Sequence, residues 1–169
     1  TYVLFSLCFV FFSRNSFSQD SIPIAKDLTE EKELNFQQFF FKALSEKSIG
    51  NYQKAIENLE SCNQILTNNK AVFFEFSKNY LSLNKTFLAK EYINRALESE
   101  PNNIWMLKHL VQVYLKDRNY TDAITIQQKI VRLNLKERTF LLKLYLQKKD
   151  YKEAVLLMEE MERDDALPS

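Results

Sequence analysis

The residues that could do chemistry are few and lie far apart in the sequence. His109 is the only histidine, and the nearest acidic residue after it is Asp117, two helical turns further along. A histidine acts as a general base beside a nucleophile, and no nucleophile motif accompanies His109. The acidic residues of 159–165 have helical or terminal spacing and lack the pattern of a calcium-binding loop. The sequence therefore predicts no enzymatic activity, no cofactor-binding residue and no metal site.

The composition excludes two further classes of site. The 169 residues include one glycine and carry a formal net charge of +1. Loops that cradle phosphate groups need several glycines, because the backbone must approach the ligand closely. A near-neutral chain also lacks the basic surface that binds nucleic acid. The length fits one domain, or at most two small ones, with a core that needs no metal or disulfide to hold it.

The N-terminal segment has the features of a secretory signal peptide. Residues 2–12 are almost wholly apolar, which is too short for a membrane-spanning helix but typical of a signal peptide core. Ser16 and Ser18 are small residues that suit a cleavage site before Gln19. We predict that 1–18 is a signal peptide without its basic leader, and that the protein is exported to the periplasm or secreted. A truncated membrane anchor and a buried first helix are the alternatives.

Removal of this segment would leave a neutral chain with one cysteine. Residues 1–18 contain Arg14 and no acidic residue, so the 23 basic residues fall to 22, which equals the number of acidic ones. Cys8 would be lost as well, and Cys62 could then form no intramolecular disulfide. The position of Cys62 on an apolar helix face predicts a buried, unreactive thiol. No transmembrane segment is expected in the mature chain.

The strongest pattern is an internal repeat marked by small residues. Ala55, Ala89 and Ala123 recur at one constant interval, and Ala154 follows after a slightly shorter one. Proline is absent from 24–100, and no strand-like alternation is sustained, so the pattern favours helices throughout. Tyrosines repeat with the same two intervals, at Tyr80, Tyr114 and Tyr145.

This pattern resembles the tetratricopeptide repeat family, in which each unit of about 34 residues forms a helix, a turn and a second helix. The resemblance covers 36–163 and implies an all-α, right-handed superhelical solenoid of about four repeats, in which the stacked pairs share one core. The third repeat is three residues short, and Arg138 stands where the family usually has a large apolar residue. The implied segments are a linker with the start of the first helix (19–35), repeats at 36–69, 70–103, 104–134 and 135–163, and a tail (164–169).

The resemblance also implies a binding surface, because the first helix of each repeat in this family lines a concave groove that takes peptides. The aromatic groove residues would be Phe40, Phe74 and Trp105. The polar ones would be Lys78, Lys108, Gln112 and Lys143. We expect the aromatic residues to anchor an extended or helical partner segment, and the lysines to meet acidic groups or a C-terminal carboxylate. Ordinary solvated lysines are the alternative. The clamp of chaperone-binding members is not matched, since Phe40 and Leu44 stand where it would begin.

The last helix carries a second indication of a partner. Val155, Met158 and Met161 give this helix an apolar face, and a solenoid needs a polar cap over its last repeat. We therefore expect further repeats or a partner chain to pack there, and the chain to be a fragment or a truncated product.

Taken together, these features predict a non-catalytic scaffold or adaptor of the bacterial envelope that binds another protein. The richness in asparagine, lysine and phenylalanine resembles that of proteins from the Bacteroidetes. The alternative function is the periplasmic sensor portion of a larger signalling protein, such as a histidine kinase. A membrane-spanning helix after Ser169 would favour that alternative.

Overall fold

Helices follow one another in pairs along the chain. A computed structural model describes residues 24–165, and the predicted signal peptide, 1–18, lies outside them. The described residues form eight α-helices and no strand, so the predicted all-α solenoid of about four helix pairs is confirmed. None of these helices is long and apolar enough to cross a membrane. The helices are α1 (Ile24–Ser48), α2 (Tyr52–Ile65), α3 (Lys70–Ser82), α4 (Thr86–Ser99), α5 (Ile104–Lys116), α6 (Tyr120–Leu133), α7 (Arg138–Lys148) and α8 (Tyr151–Asp165), with a 3-10 turn at Leu135–Glu137 before α7.

The turn inside each pair has the same backbone shape. One residue of each turn takes the left-handed conformation, and its N–H donates to the carbonyl three residues earlier. The next N–H donates to the carbonyl five residues earlier, which satisfies the last carbonyls of the first helix. The left-handed residues are Gly50 (φ 82°), Asn84 (φ 58°), Arg118 (φ 56°) and Lys149 (φ 66°). They recur at the same intervals as the repeating alanines, each five residues before one of them.

Replacement of Gly50 with alanine is expected to lower the free energy of unfolding by about 1 kcal/mol. A Cβ built on Gly50 has no atom within 4 Å, so the cost comes from the left-handed backbone alone. Lys149→Gly is the matched comparison, because it removes a Cβ from the same conformation and should not destabilise the chain in this way. Urea unfolding of both variants tests this; a loss above about 3 kcal/mol for Gly50→Ala would contradict a purely backbone cost.

Asparagine caps the segment that begins each later pair. The side-chain oxygens of Asn69, Asn103 and Asn134 each accept a hydrogen bond from a backbone N–H two or three residues later. An asparagine in this position satisfies an N–H that has no partner within the helix and contributes about 1 kcal/mol. The intervals between the caps are those between the turns, so the caps belong to the same repeat.

Small buried residues allow the two helices of each pair to approach closely. The four repeating alanines are at most 2% exposed. Cys62 is fully buried, as predicted, and its Sγ lies 3.6 Å from the Phe36 carbonyl oxygen, to which it donates. Burial raises the pKa of the Cys62 thiol to about 11, so the group stays protonated and unreactive.

The core runs without a break through the stacked pairs. One cluster of buried side chains lies between α1 and α5, and a second lies between α5 and α8. Leu97, Tyr114 and Ile126 pack against both clusters and so connect them. The positions of the first helices are therefore fixed by the packing of each pair on the next.

The outer face of α8 is exposed. Of the predicted face, Val155 and Met158 are 52% and 46% exposed, and the neighbouring Leu156 is 49% exposed. Met161 was expected on the same uncovered face but is partly buried against the second core cluster. The expectation that further repeats or a partner chain cover this face stays a prediction.

Candidate binding groove

The first helices of the pairs form the inner face of the solenoid. α3 packs directly on α5, where the rings of Phe74 and His109 meet edge to face at 5.5 Å. No comparable contact joins the second helices α4 and α6 in the described part of the chain. Because α3 lies closer to α5 than α4 does to α6, the solenoid is concave on the side of α3 and α5, where the family resemblance places the groove.

A cleft of about 440 Å³ opens on this face between α5 and α7. Three residues predicted for the groove, Trp105, Lys108 and Gln112, line it together. The cleft is completed by His109, Gln127, Glu137 and Phe140. Trp105 is 76% exposed, which is high for the largest apolar side chain, so it offers an open aromatic surface at the groove.

Two further predicted residues, Phe74 and Lys78, lie beside the cleft on α3. The Lys78 Nζ sits 4.3 Å from the centre of the Phe74 ring, within cation–π range. The Phe74 ring also contacts the His109 ring, and His109 lines the cleft. The structure therefore joins the predicted residues of the second and third repeats into one continuous surface.

The remaining two predicted residues do not belong to this surface. Phe40 is half-buried in the first pair and stacks on Phe36 with the ring centres 5.9 Å apart. Lys143 is exposed on α7 and does not line the cleft. The candidate site is thus shorter than the sequence suggested and is centred on α3, α5 and the start of α7.

Two carboxylates change the charge expected for the groove. Glu75 is 8% exposed and accepts hydrogen bonds from Lys47 Nζ at 2.5 Å and Lys78 Nζ at 2.6 Å. Glu137 accepts from Lys108 Nζ at 2.7 Å. Lys78 and Lys108 were expected to bind acidic groups of a partner, but each already forms an ion pair with a carboxylate of this chain. Sequence reasoning missed both acids, although the i,i+3 spacing of Glu75 and Lys78 is visible in the sequence.

His109 has a defined structural position that the sequence did not reveal. Its Nε2 lies 2.9 Å from the Ser77 hydroxyl oxygen, while the Ser77 hydroxyl donates to the Ala89 carbonyl at 2.7 Å. Since the Ser77 hydroxyl proton already forms the hydrogen bond to the Ala89 carbonyl, His109 Nε2 must be the donor to the Ser77 oxygen. Burial, together with the nearby charge of Lys78, lowers the pKa of His109 to about 4, so the ring is neutral near pH 7.

This serine–histidine contact is unsuited to activating a nucleophile. Ser77 is fully buried, and a histidine nitrogen that donates to its oxygen cannot also remove its proton. Within residues that the structure describes, no group of three histidine, cysteine, aspartate or glutamate side chains could hold a metal ion.

Lowering the pH from 7 to 5 is expected to destabilise the protein through His109 by about 2 kcal/mol. The unfolded chain, with an ordinary histidine pKa near 6.5, takes up a proton that the folded chain accepts only near pH 4. This contribution is complete above about pH 6.5 and is lost as the pH falls towards 4. Urea unfolding at both pH values measures it, and the control is His109→Gln, which cannot titrate. Equal pH dependence of the two proteins would contradict the neutral, buried ring.

The floor of the cleft contains a buried acceptor without a partner. Gln127 is 1% exposed, and its Nε2 donates to the Glu137 carbonyl at 3.1 Å. This hydrogen bond fixes the orientation of the amide and leaves Oε1 with no donor among the described residues. A buried acceptor without a donor costs about 1–3 kcal/mol, so Gln127 is a locally unfavourable feature of the fold at the base of the cleft.

Comparison with known families agrees with this geometry. Residues 71–103, which contain α4 and nearly all of α3, match the family model of the tetratricopeptide repeat. The second helix pair is therefore similar to a tetratricopeptide repeat. The other pairs reproduce its left-handed turn and its buried alanine, so the described chain has the fold of a tetratricopeptide solenoid. No curated protein matches the sequence significantly.

Solved structures share this tetratricopeptide fold at low sequence identity. MamA from Desulfovibrio magneticus RS-1 is 20% identical with a TM-score of 0.66, over 81% of this chain and 80% of that one. The first tetratricopeptide domain of RPAP3 (Spaghetti), bound to the HSP90 peptide SRMEEVD, is 14% identical with a TM-score of 0.61, over 69% and 94%. An O-GlcNAc transferase from Thermobaculum terrenum is 14% identical with a TM-score of 0.59, over 68% of this chain and 22% of the enzyme. At these identities the likeness shows the fold alone.

Proposed function

We propose that this protein is a non-catalytic interaction module that binds a segment of another protein in its concave groove. The binding surface comprises Phe74 and Lys78 on α3, Trp105 and Gln112 on α5, and the cleft that opens towards α7. The observation that carries the proposal is the cleft itself, where the 76% exposed ring of Trp105 lies beside a buried and partly unsatisfied polar floor. Exposed aromatic residues next to such pockets are typical anchors of protein interfaces.

The structural likeness to RPAP3 supports a peptide as the ligand, because that protein was solved with the peptide SRMEEVD bound. The same peptide is not the expected ligand here. Phe40 and Leu44 replace the first residues of the clamp, and Lys78 and Lys108 are already paired with carboxylates. A strongly acidic segment would have to compete with Glu75 and Glu137 for these lysines.

We further propose that the module acts in the bacterial envelope as a scaffold or adaptor. This location is supported by the apolar segment and the small residues of 1–18, which lie outside the described residues. Fusion of alkaline phosphatase after the full natural N-terminus tests it, since that enzyme is active only after export. An active fusion, and an inactive one after removal of the N-terminal segment, is the expected result; an inactive natural fusion would contradict export.

In-cell crosslinking tests groove binding and captures the partner. A photoreactive residue in place of Gln112, which is exposed in the cleft, is expected to capture a specific protein that mass spectrometry identifies. The control carries the same residue in place of Thr125, which is exposed on α6 outside the cleft. Capture of the same protein equally well from Thr125 would contradict binding in the groove.

A further inference from the structure

We infer that the exposed face of α8 pairs with the same face of a second copy of this chain, with the two helices antiparallel. Four residues at the spacing of a coiled-coil seam form this face, which we call the α8 stripe: Tyr151, Val155, Met158 and Glu162. The inference goes beyond the proposed function, because it concerns the end of the solenoid rather than the concave groove.

The α8 stripe occupies positions that are buried in the earlier pairs. Val155 and Met158 come one and four residues after the repeating alanine of their pair. The same positions of the first pair, Ile56 and Leu59, are 2% and 0% exposed, and the fourth position of the second pair, Ile93, is also fully buried. Another helix follows each of these pairs, whereas none follows α8 within residues 24–165. At 52% and 46% exposure, Val155 and Met158 therefore form a stacking surface that no described helix covers.

The charges of α8 favour a second copy of the same helix as the partner. Lys152 lies near the start of α8 and Glu159 near its end, and both are exposed. They are seven residues apart, so they flank the same side of the α8 stripe. In an antiparallel pair, Lys152 of each helix lies beside Glu159 of the other, and the two-fold axis forms this ion pair twice. Arg163 is also exposed near the end of α8, but it lies further from the stripe than Glu159 does.

Other arrangements of two copies bring like charges together. A parallel pair of α8 helices would place the acidic end of one helix beside the acidic end of the other. The first helix of a second copy would lie antiparallel to α8, as expected of helices joined by a short loop. The start of α1, where Glu30, Glu31 and Glu33 outnumber Lys32, would then meet the acidic end of α8. Like charges that face each other across an interface oppose association, so the charges select the antiparallel pair of α8 helices.

The side chains of the two stripes match in this pair. With the two-fold axis between Val155 and Met158, each Val155 meets Met158 of the other copy. Each Tyr151 then meets Glu162 of the other copy, to which its hydroxyl group can donate. The flexible Met158 side chain adapts to the gap between the helices. Since the contact involves a single helix of 15 residues, we expect a weak dimer with a dissociation constant of about 10 µM.

Sedimentation equilibrium of the full-length protein tests the pairing. We expect monomers to give way to dimers as the protein concentration rises from about 1 to about 200 µM, a range that brackets the expected dissociation constant. A protein that stays monomeric over this range would overturn the inference. Assemblies that grow beyond the dimer would overturn it as well, because stacking of α1 on α8 forms an open chain, whereas a two-fold pair is closed.

A matched pair of variants assigns the dimer to the α8 stripe. Met158→Gln is expected to weaken dimerisation about tenfold, because each dimer loses two buried apolar side chains. Leu156→Gln is the control, since Leu156 is on the same helix and has almost the same exposure, 49% against 46%. It lies on another face of α8, where it lines a cleft with Gln128 and Arg132 of α6. Its dimerisation should be unchanged, and equal weakening by the two variants would contradict pairing through the stripe.

A charge exchange tests the antiparallel orientation. Lys152→Glu and Glu159→Lys should each weaken dimerisation about fivefold, because each replaces two ion pairs with two repulsive contacts. The double variant Lys152→Glu/Glu159→Lys restores both pairs in the antiparallel dimer alone, so its affinity should return to that of the unmodified protein. A double variant as weak as the single ones would overturn the inference. These measurements involve no groove ligand, so their failure leaves groove binding to its own test, crosslinking from Gln112.

Discussion

Replacement of Phe76 with alanine is expected to lower the free energy of unfolding by about 3–5 kcal/mol, which is a large part of the stability of a domain of this size. The side chain is 2% exposed and stacks on Tyr92 with the ring centres 4.7 Å apart. A second ring, Tyr80, lies 6.2 Å away on the same helix. Truncation would leave a cavity between α3 and α4, in the pair that supports the groove. Urea unfolding followed by circular dichroism measures the loss.

The control for this loss is Phe87→Ala. Phe87 is on α4, in the same helix pair, but it is 73% exposed, so its truncation should change stability by less than about 0.5 kcal/mol. Similar losses for the two variants would mean that Phe76 does not pack as described. A small loss of stability in the Phe76→Ala variant would mean that the helix pair tolerates the cavity, which would contradict a core shared by adjacent repeats.

Replacement of Trp105 with alanine is expected to weaken binding of the captured partner segment by about 30-fold, which corresponds to about 2 kcal/mol. The ring is 76% exposed in the free protein and lines the cleft, so a partner that fills the cleft would cover it. Stability should hardly change, because the exposed ring contributes little to the core. Isothermal titration calorimetry with the partner segment measures the affinity.

Phe87→Ala also serves as the control for binding. It removes an aromatic side chain of almost the same exposure from a helix that does not line the cleft. We expect its affinity for the partner segment to equal that of the unmodified protein. Unchanged affinity of the Trp105→Ala variant would show that the partner binds elsewhere, whereas equal weakening by both variants would indicate an indirect effect.

Much of the fold could be predicted because several repeating positions hold residues whose small size or backbone preference directly determines the local structure. Ala89 is fully buried where two helices approach each other, and Cys62, two helical turns after the corresponding alanine of the first pair, is equally buried. Gly50 marks a turn that needs a left-handed residue. The residue types of Arg118 and Lys149 do not predict the same left-handed turn, since both are ordinary helix formers. Their conformation follows only from their place in the repeat, at regular intervals from the other turns.

The short third repeat and Arg138 show how the fold accommodates departures from the pattern. The missing residues are those of the loop before the cap: Asn134 directly follows α6 and caps the 3-10 turn that leads into α7, whereas three residues separate α4 from the capping Asn103. Arg138 is neutralised by two acids of α8: its Nη1 lies 2.5 Å from Asp164 Oδ2 and 3.7 Å from Glu160 Oε1. The acidic cluster of 159–165, whose spacing predicted no metal site, thus supplies partners for a largely buried arginine.

The candidate site was less predictable than the fold, because its chemistry depends on contacts between distant residues. Spacing placed Trp105, Lys108 and Gln112 on one helix face, and the structure brings them together. The spacing could not reveal that Glu137, which lies beyond the next helix, would neutralise Lys108. Nor could it show that Gln127, on a second helix, would form the floor of the cleft. Glu137 thus reduces the positive charge that Lys108 was expected to offer a ligand.

The most direct test of groove binding is hydrogen–deuterium exchange of the full-length protein with and without its captured partner segment. Backbone exchange reports which helices are covered or stabilised by the ligand. We predict that exchange slows on α3, α5 and the start of α7, with no comparable change on α2 and α4. Protection confined to α2 and α4, or to the exposed face of α8, would contradict a partner bound in the concave groove.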